Sequence, residues 1–442
     1  MEADTHAVNS ADDDSEMGQK RATICMFTPT AEGGHARYSL ELLSTMTAAE
    51  ANKPRARRRT FELVSSEDLA DEFRAVPYAV HPILPKLKDR KTFPNKAAWA
   101  ISRIMHYPRR ERMFLRWLAT QDHIGGVHFQ EWTSWIAAGV FRRIHRMGKQ
   151  AFYTVHNIVP HKYPKYVPKA VMHHWIRKAC RRADGLFVHT DALAEQLSGF
   201  LGKTHPPIHV VPHGVWTVRD VAERPPLAER LAWKKLLFFG TIRRNKGLDL
   251  LLRAMEQLPG YSLTIAGEPL DPHYFNDEIL PLVKRLQAAG VKIDLRRGFL
   301  PEEQVPALLA EHSAIILPYT SGFQAQSGVV YLALAHEVPV VASEAGGLRD
   351  LLNEFRIGET FHQFTPEALA AAIHALETGA TQSQLANEFL AAKQKYSWDE
   401  AAAATIAGYD AAAARVPVKS ESAIDEQPTT PDDCTVGTTA AH

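Results

Sequence analysis

Short apolar runs that end in turn residues recur along this chain in two series, and that alternation leaves few folds open. The first series reads "ATICMFTP" (22–29), "GGVHFQ" (125–130), "AFYTVHN" (151–157), "GLFVHT" (185–190) and "IHVVPHG" (208–214). Segments between them, such as 36–51 and 164–183, read as helices. Strand and helix in alternation predict parallel strands joined by helical crossovers. The stretch "TVRDVAERPPLAERLAWK" (217–234) then interrupts the pattern with charge and paired prolines, as a linker does. A second series follows: "LLFFGT" (236–241), "YSLTIAGE" (261–268), "VKIDLRRGF" (291–299), "SAIILPY" (313–319) and "VPVVAS" (338–343). The expected fold class is α/β, with two doubly wound halves that hold ligands at the carboxyl ends of their strands.

Length agrees, because 442 residues are too many for one comfortable core. The expected boundaries are a disordered tail at 1–20, a first Rossmann-like domain at 21–216, the linker, a second such domain at 235–395, a terminal helix at 396–415 and a disordered tail at 416–442. The first tail is acidic and lacks the apolar core of a signal peptide. A hydrophobic content of 45% fits an ordinary soluble protein. A formal net charge of +1 argues against a nucleic-acid partner, which calls for a basic surface. The three cysteines, Cys25, Cys180 and Cys434, are far apart and odd in number, which excludes a disulfide framework or a zinc motif. With no run long enough to span a bilayer, a cytoplasmic location is expected.

Two loops carry the chemistry. In "LLFFGTIRRNKGLDLLLRAM" a buried strand ends at Gly240, and a loop with Arg243, Arg244 and Lys246 enters a helix through Gly247. Cations and free N–H groups at a helix start make an anion site; a solvated basic loop is the plainer alternative. In "QAQSGVV" the Ser327 hydroxyl and the main chain of Gly328 and Val329 open a second helix start. That is either another anion site or a helix capped by Ser327. Together the two suit a diphosphate.

The order strand–Gly–x–x–Arg–x–x–Lys–Gly–helix, a later Ser/Gly-rich helix start, and "VPVVASEAGGLRDLL" resembles the nucleotide-sugar domain of the retaining glycosyltransferases of family four. "FTPTAEGGHARYSLEL", "TVHN", "VVPHGV" and "LTIAGE" stand in that family's order around it, so the resemblance covers about residues 20–412. It implies the GT-B fold, two Rossmann-like domains facing across a cleft, with a C-terminal helix crossing back onto the first. It implies a retaining enzyme that moves a hexose from a UDP- or GDP-sugar to a glycan or lipid-linked acceptor, in polysaccharide or glycoconjugate assembly, without an essential metal. By the same resemblance Lys246 and Arg243 neutralise the diphosphate, and the Gln326–Ser327–Gly328–Val329 turn holds phosphates through its N–H groups. Main chain near Arg297 and Gly298 meets the base, Gly33 and Gly34 admit the donor from the opposite side, and His156 is the active-site histidine. His35 and Glu131 are the candidates for acceptor contact, and His213 reads as structural.

The family often places two glutamates in the second loop and its helix, one for the sugar hydroxyls and one for the ribose; here those positions hold Gln324 and Leu332. An amide still donates to and accepts from sugar hydroxyls, whereas Leu332 cannot hold a ribose. The loss of the acids favours one alternative, a catalytically inactive glycosyltransferase-like binding subunit; a second alternative is a nucleotide-sugar epimerase, another protein of two such domains that uses nucleotide sugars. Between 86 and 116 ten Lys/Arg stand against two acids, interleaved with Phe93, Trp99, Ile104, Met105, Tyr107 and Phe114. Such a surface suits peripheral contact with an anionic membrane, or is a solvated helical face.

Overall fold

The computed structural model describes residues 22–31, 34–71, 75–88, 92–131, 135–159, 167–216, 225–321, 323, 327–346, 348–378 and 382–415. The two expected tails lie outside these residues, as do Gly33, Gln324 and Gln326.

Among the described residues the first sheet holds β1 (Thr23–Phe27), β2 (Phe61–Ser66), β3 (Ala79–Leu84), β4 (Ile124–Phe129), β5 (Gln150–Thr154), β6 (Gly185–Val188) and β7 (Ile208–Val210). All pair in parallel, in the order β3-β2-β1-β4-β5-β6-β7. The second sheet holds β8 (Lys235–Phe239), β9 (Ser262–Gly267), β10 (Lys292–Arg297), β11 (Ala314–Leu317), β12 (Val340–Ser343) and β13 (Gly358–Phe361). It too is parallel, in the order β10-β9-β8-β11-β12-β13. Strand order therefore reverses between β1 and β4 in one sheet and between β8 and β11 in the other, the positions where such sheets open a crevice.

The central strands are continuous apolar runs because helices cover both faces. All five residues of β1 are buried, as are all four of β11 and of β12. Edge strands follow a different rule. β10, "KIDLRR", alternates exposed and half-buried positions, and β3, "AVHPIL", tolerates Pro82 because one side makes no ladder bonds. Helix starts are capped as their sequences dictate: Asn95 accepts from the Ala98 N–H, Thr190 from Leu193 and Ser397 from Glu400.

The segment expected to be a linker contains the helix Leu227–Ala232, entered through Pro226. Proline there sets the backbone for a helix start and needs no hydrogen bond. The terminal helix, Trp398–Ala413, lies on the first sheet's half and packs against the helix Gly34–Ala51 and strands β6 and β7. Gly408 lets it come close, since a Cβ there would stand 2.5 Å from the Phe187 ring. Tyr409 Oη lies 2.5 Å from His128 Nδ1 in the buried interface, and Asp410 pairs with Arg59 at 3.0 Å. One apolar cluster runs from Met26 and Leu43 through Trp398 to Leu237, Tyr331 and Val340, so the two sheets share a core.

The basic segment forms the helix Lys96–Leu118. Ile101, Ile104 and Met105 are 59%, 59% and 69% exposed, and Arg109, Arg112 and Arg116 follow on the exposed side. Phe114 is instead fully buried, and Arg110 and Glu111 are buried beside it. The surface is thus narrower than the composition of 86–116 implies, because a helix shows only one face to water.

Candidate active site

The carboxyl edge of the second sheet gathers one cluster. Past β8 the chain turns through Gly240 (φ 105) into a single tight turn, Arg244–Lys246, and enters the helix Leu248–Ala254 through Gly247. Gly247 has φ 64, and a Cβ on it would stand 1.9 Å from the Pro318 carbonyl oxygen. Only glycine lets the β8 loop lie against the chain leaving β11. Thr320 N–H donates to the Asn245 carbonyl at 3.0 Å and laces the two loops together. Lys246 Nζ then donates to Tyr319 Oη at 3.1 Å and rests 4.8 Å from that ring's centroid. Tyr319 Oη lies 3.1 Å from Ser327 Oγ. A Cβ on Gly240 would stand 3.6 Å from Lys246 Nζ and 3.5 Å from Val329 Cγ2. Gly240, Lys246, Tyr319, Ser327 and Val329 therefore surround one point.

The remaining donor-side residues divide. Ser327 occupies the cap position of the helix Gly328–Ala335, but its hydroxyl goes to Tyr319 and makes no cap bond, so the capping alternative fails. Arg243 is half-buried with no ion-pair partner among the described residues, and burial pushes its pKa down. Arg244, grouped with these cations in the sequence, points elsewhere: it pairs with Glu278 through two nitrogens and lies over the Tyr274 ring. Arg297 is exposed at the end of edge strand β10, over the Phe275 ring at 4.9 Å. Gly298 follows at φ 117 and donates to the Gly267 carbonyl at 3.1 Å. Leu332 packs half-buried against the core.

In the first sheet the carboxyl ends of neighbouring strands carry Gln130 and Glu131 (after β4), His156 (after β5), His189 (after β6) and His213 (after β7). Glu131 Oε1 accepts from Thr30 Oγ1 at 2.9 Å and lies 2.7 Å from His35 Nδ1, so it ties the β1 loop to the β4 loop at the point of strand-order reversal. His35 stacks on His156 with centroids 4.5 Å apart. Gly34 opens the helix Gly34–Ala51, with clear space where a side chain would go.

A proton inventory orders the histidines. Nδ1–H of His189 donates to the Val211 carbonyl at 3.0 Å, so its Nε2 accepts from His156 Nδ1, 2.9 Å away. The lone pair left on His156 Nε2 faces the Gln130 side-chain amide at 3.3 Å, whose NH2 meets it in one of the amide's two orientations. Burial, and then the neighbouring imidazoles, hold His156 well below the usual histidine range. Burial likewise lowers His189 to about 4 and His213 to about 3. These rings are neutral at physiological pH.

Aromatic residues join the two clusters. Tyr38 touches His156, His189, His213 and Trp398 with centroids 5.2–5.4 Å apart. His213 stacks on Tyr331, and Trp216 Nε1 donates to the Gly328 carbonyl at 3.2 Å. The second bond runs straight to the helix start that bears Ser327. Tyr319, Tyr38 and Tyr331 were not singled out from the sequence; a tyrosine two residues past a buried strand was the available signal for Tyr319. Two surface cavities, about 360 Å³ at Leu227, Leu231 and Leu385 and about 330 Å³ at Lys235, Lys292 and His312, include none of these residues.

Comparison with known proteins follows these two lobes. Residues 63–219 match the model described as Glycosyltransferase Family 4, and residues 233–378 match the one described as Glycosyl transferases group 1. The D-inositol 3-phosphate glycosyltransferase of Xylanimonas cellulosilytica is 29% identical over 257 residues, 54% of this chain and 59% of that protein. Its counterpart in Mycobacterium avium is 31% identical over 239 residues, 51% of this chain and 54% of that protein. The chain thus spans about half the length of the curated relatives it matches. Sucrose-phosphate synthase from Thermosynechococcus elongatus superposes with a TM-score of 0.66 at 17% identity, over 89% of this chain and 100% of that one. Anabaena HepE in complex with UDP and glucose superposes at 0.61 with 15% identity, over 88% and 100%. At such identities the solved structures speak for the fold, and it is GT-B. With a glycosyltransferase family description on each lobe, Glycosyltransferase Family 4 on the first and Glycosyl transferases group 1 on the second, the chain belongs to the group 1 glycosyltransferases of family four.

Proposed function

We propose that the protein is a retaining glycosyltransferase that moves a hexose from a nucleotide diphosphate sugar to a glycan or lipid-linked acceptor. The observation that carries this reading is the Lys246–Tyr319–Ser327 bridge at the reversal point of the second sheet. It places an ammonium group with no carboxylate partner among the described residues beside a glycine turn and a helix start. A leaving nucleoside diphosphate gains negative charge as the sugar carbon becomes cation-like. Preorganised Lys246, Arg243 and the N–H groups of Gly328 and Val329 stabilise that charge most in the transition state. Neutral His156, held between His189 and Gln130, lines the first lobe's strand ends without adding a charge that competes for the diphosphate.

The test is a screen of UDP- and GDP-sugars, with donor hydrolysis and thermal stabilisation as readouts. Inositol 3-phosphate belongs in the acceptor panel, because the curated relatives are named for it. Stabilisation by a nucleotide with slow donor hydrolysis is the expected result. Stabilisation without any turnover favours the inactive binding subunit, isomerised donor favours the epimerase, and no nucleotide binding at all overturns the reading.

Peripheral contact with an anionic membrane belongs to the same proposal. Ile101, Ile104 and Met105 would enter the interface while Arg109, Arg112 and Arg116 meet lipid phosphates. Flotation with anionic vesicles should carry the protein upward, and neutral vesicles should not; equal behaviour at moderate salt retires this part.

A further inference from the structure

Arg110 is 2% exposed, yet it has no carboxylate partner among the described residues. Among the described residues its one hydrogen bond runs from Nη2 to the Pro29 carbonyl at 2.6 Å, and its Nε is buried with no partner. A guanidinium removed from water without a direct ion pair is costly for a fold to keep. Burial pushes its pKa down, in line with that cost.

Its position gives the charge a use. Arg110 comes from the helix Lys96–Leu118 and reaches the residues just past β1, while Asp68, past β2, and Glu131, past β4, lie within its electrostatic reach. It therefore stands over the carboxyl ends of β2, β1 and β4, where the strand order of the first sheet reverses. Neither nearby carboxylate pairs with Arg110 among the described residues, although Asp68 Oδ1 is itself buried without a hydrogen-bond partner. Glu131 accepts from Thr30 and faces His35, and Asp68 pairs with Lys86 at 3.5 Å. Arg110 is also set apart from its own helix neighbours, since Arg109 and Arg112 are exposed and need no counter-charge.

We propose that Arg110 anchors an acceptor subsite for a phosphate group, in the crevice beside Thr30, His35 and Glu131. This rests on the glycosyltransferase reading above, and adds that the acceptor is anionic. The planar fork of a guanidinium is suited to phosphate oxygens. The unpartnered Nε is the position left for one of them, and the Pro29–Thr30 turn is the cover that an entering anion lifts. The phosphate can belong to a small phosphorylated polyol or to a lipid headgroup.

The experiment measures binding to the full chain at fixed ionic strength, with inositol 3-phosphate against inositol, and with phosphatidylinositol against an uncharged diacylglycerol in mixed micelles. UDP and GDP binding is followed in parallel. At least tenfold tighter binding of the phosphorylated member is expected, in the soluble pair if the acceptor is a free polyol and in the micelle pair if it is a lipid. Arg110→Gln, which retains a donor for Pro29 without the charge, should abolish that difference and leave nucleotide binding in place; Arg110→Lys should restore part of it. In wild-type protein the phosphorylated ligand, and not the neutral one, should protect amides of 28–31 from hydrogen exchange, a readout that stands even if the glutamine variant does not fold. No preference in either pair, a preference that survives Arg110→Gln, or no protection at 28–31 overturns the proposal. Loss of all nucleotide binding by the wild type overturns the glycosyltransferase reading instead.

Discussion

The imidazole of His213 lies parallel to the ring of Tyr331, with centroids 4.4 Å apart and planes inclined by 16°. His213 follows the last strand of the first sheet, and Tyr331 sits on the helix that begins at the Ser327 turn. A ring from each lobe thus fixes where the histidine row stands relative to the Lys246 cluster.

Tyr331→Leu keeps the apolar volume roughly and removes the stack, a contact worth about 0.5–1.5 kcal/mol beyond its buried area. Urea unfolding should show a loss of about 1–3 kcal/mol once the lost packing is included. Nucleotide binding should survive while transfer slows, because the donor cluster is intact but the lobes are less firmly registered. A variant with wild-type transfer would show that this stack does not set the geometry.

Lys246→Ala should cut transfer at least about a hundredfold, since removal of one preorganised donor to developing charge costs about 3–4 kcal/mol of barrier. Lys246 has no carboxylate partner among the described residues, so no buried counter-charge is orphaned and the circular dichroism and melting temperature should stay close to wild type. Unchanged turnover would remove Lys246 from the active site.

Gly247→Ala tests the lacing of the two loops. The left-handed backbone alone costs about 1–2 kcal/mol for a residue with a Cβ, and the 1.9 Å approach to the Pro318 oxygen adds a clash that only backbone movement relieves. A drop of more than about 2 kcal/mol in urea unfolding is expected, together with weaker nucleotide binding. An alanine variant with wild-type stability and affinity would contradict the loop geometry.

Stability should fall as the pH falls below neutrality. His128 and His213 are held down to about 3, His189 to about 4 and His156 well below its usual range, in each case chiefly by burial. In the unfolded chain these rings take up protons near pH 6.5. Below that pH the unfolded state binds more protons than the folded one, so the stability present above about 6.5 is lost progressively towards pH 3–4. The urea midpoint should be lower at pH 5.0 than at pH 7.5. His213→Phe, which retains a ring against Tyr331, should flatten the difference; equal midpoints in the wild type would mean that the rings are charged or exposed.

Sequence by itself determined the two parallel sheets, because strands buried on both faces must be continuous apolar runs, and β1, β8, β11 and β12 are such runs. It missed β2, β3 and β13, where "FELVSS", "AVHPIL" and "GETF" mix polar residues or proline into the strand. It marked Lys246 and Ser327, in loops that enter helices, and His156 and Glu131, just past strand ends where the pattern changes from apolar to polar. Tertiary structure alone decided what those residues meet. Tyr319 between Lys246 and Ser327, the stack of His35 on His156, the turning of Arg244 to Glu278 and the burial of Arg110 all join residues distant in the chain. Apolar periodicity is a local property that each segment carries in its own residues. The pairing of one loop with another depends on strand order, and strand order is fixed only when the sheets assemble.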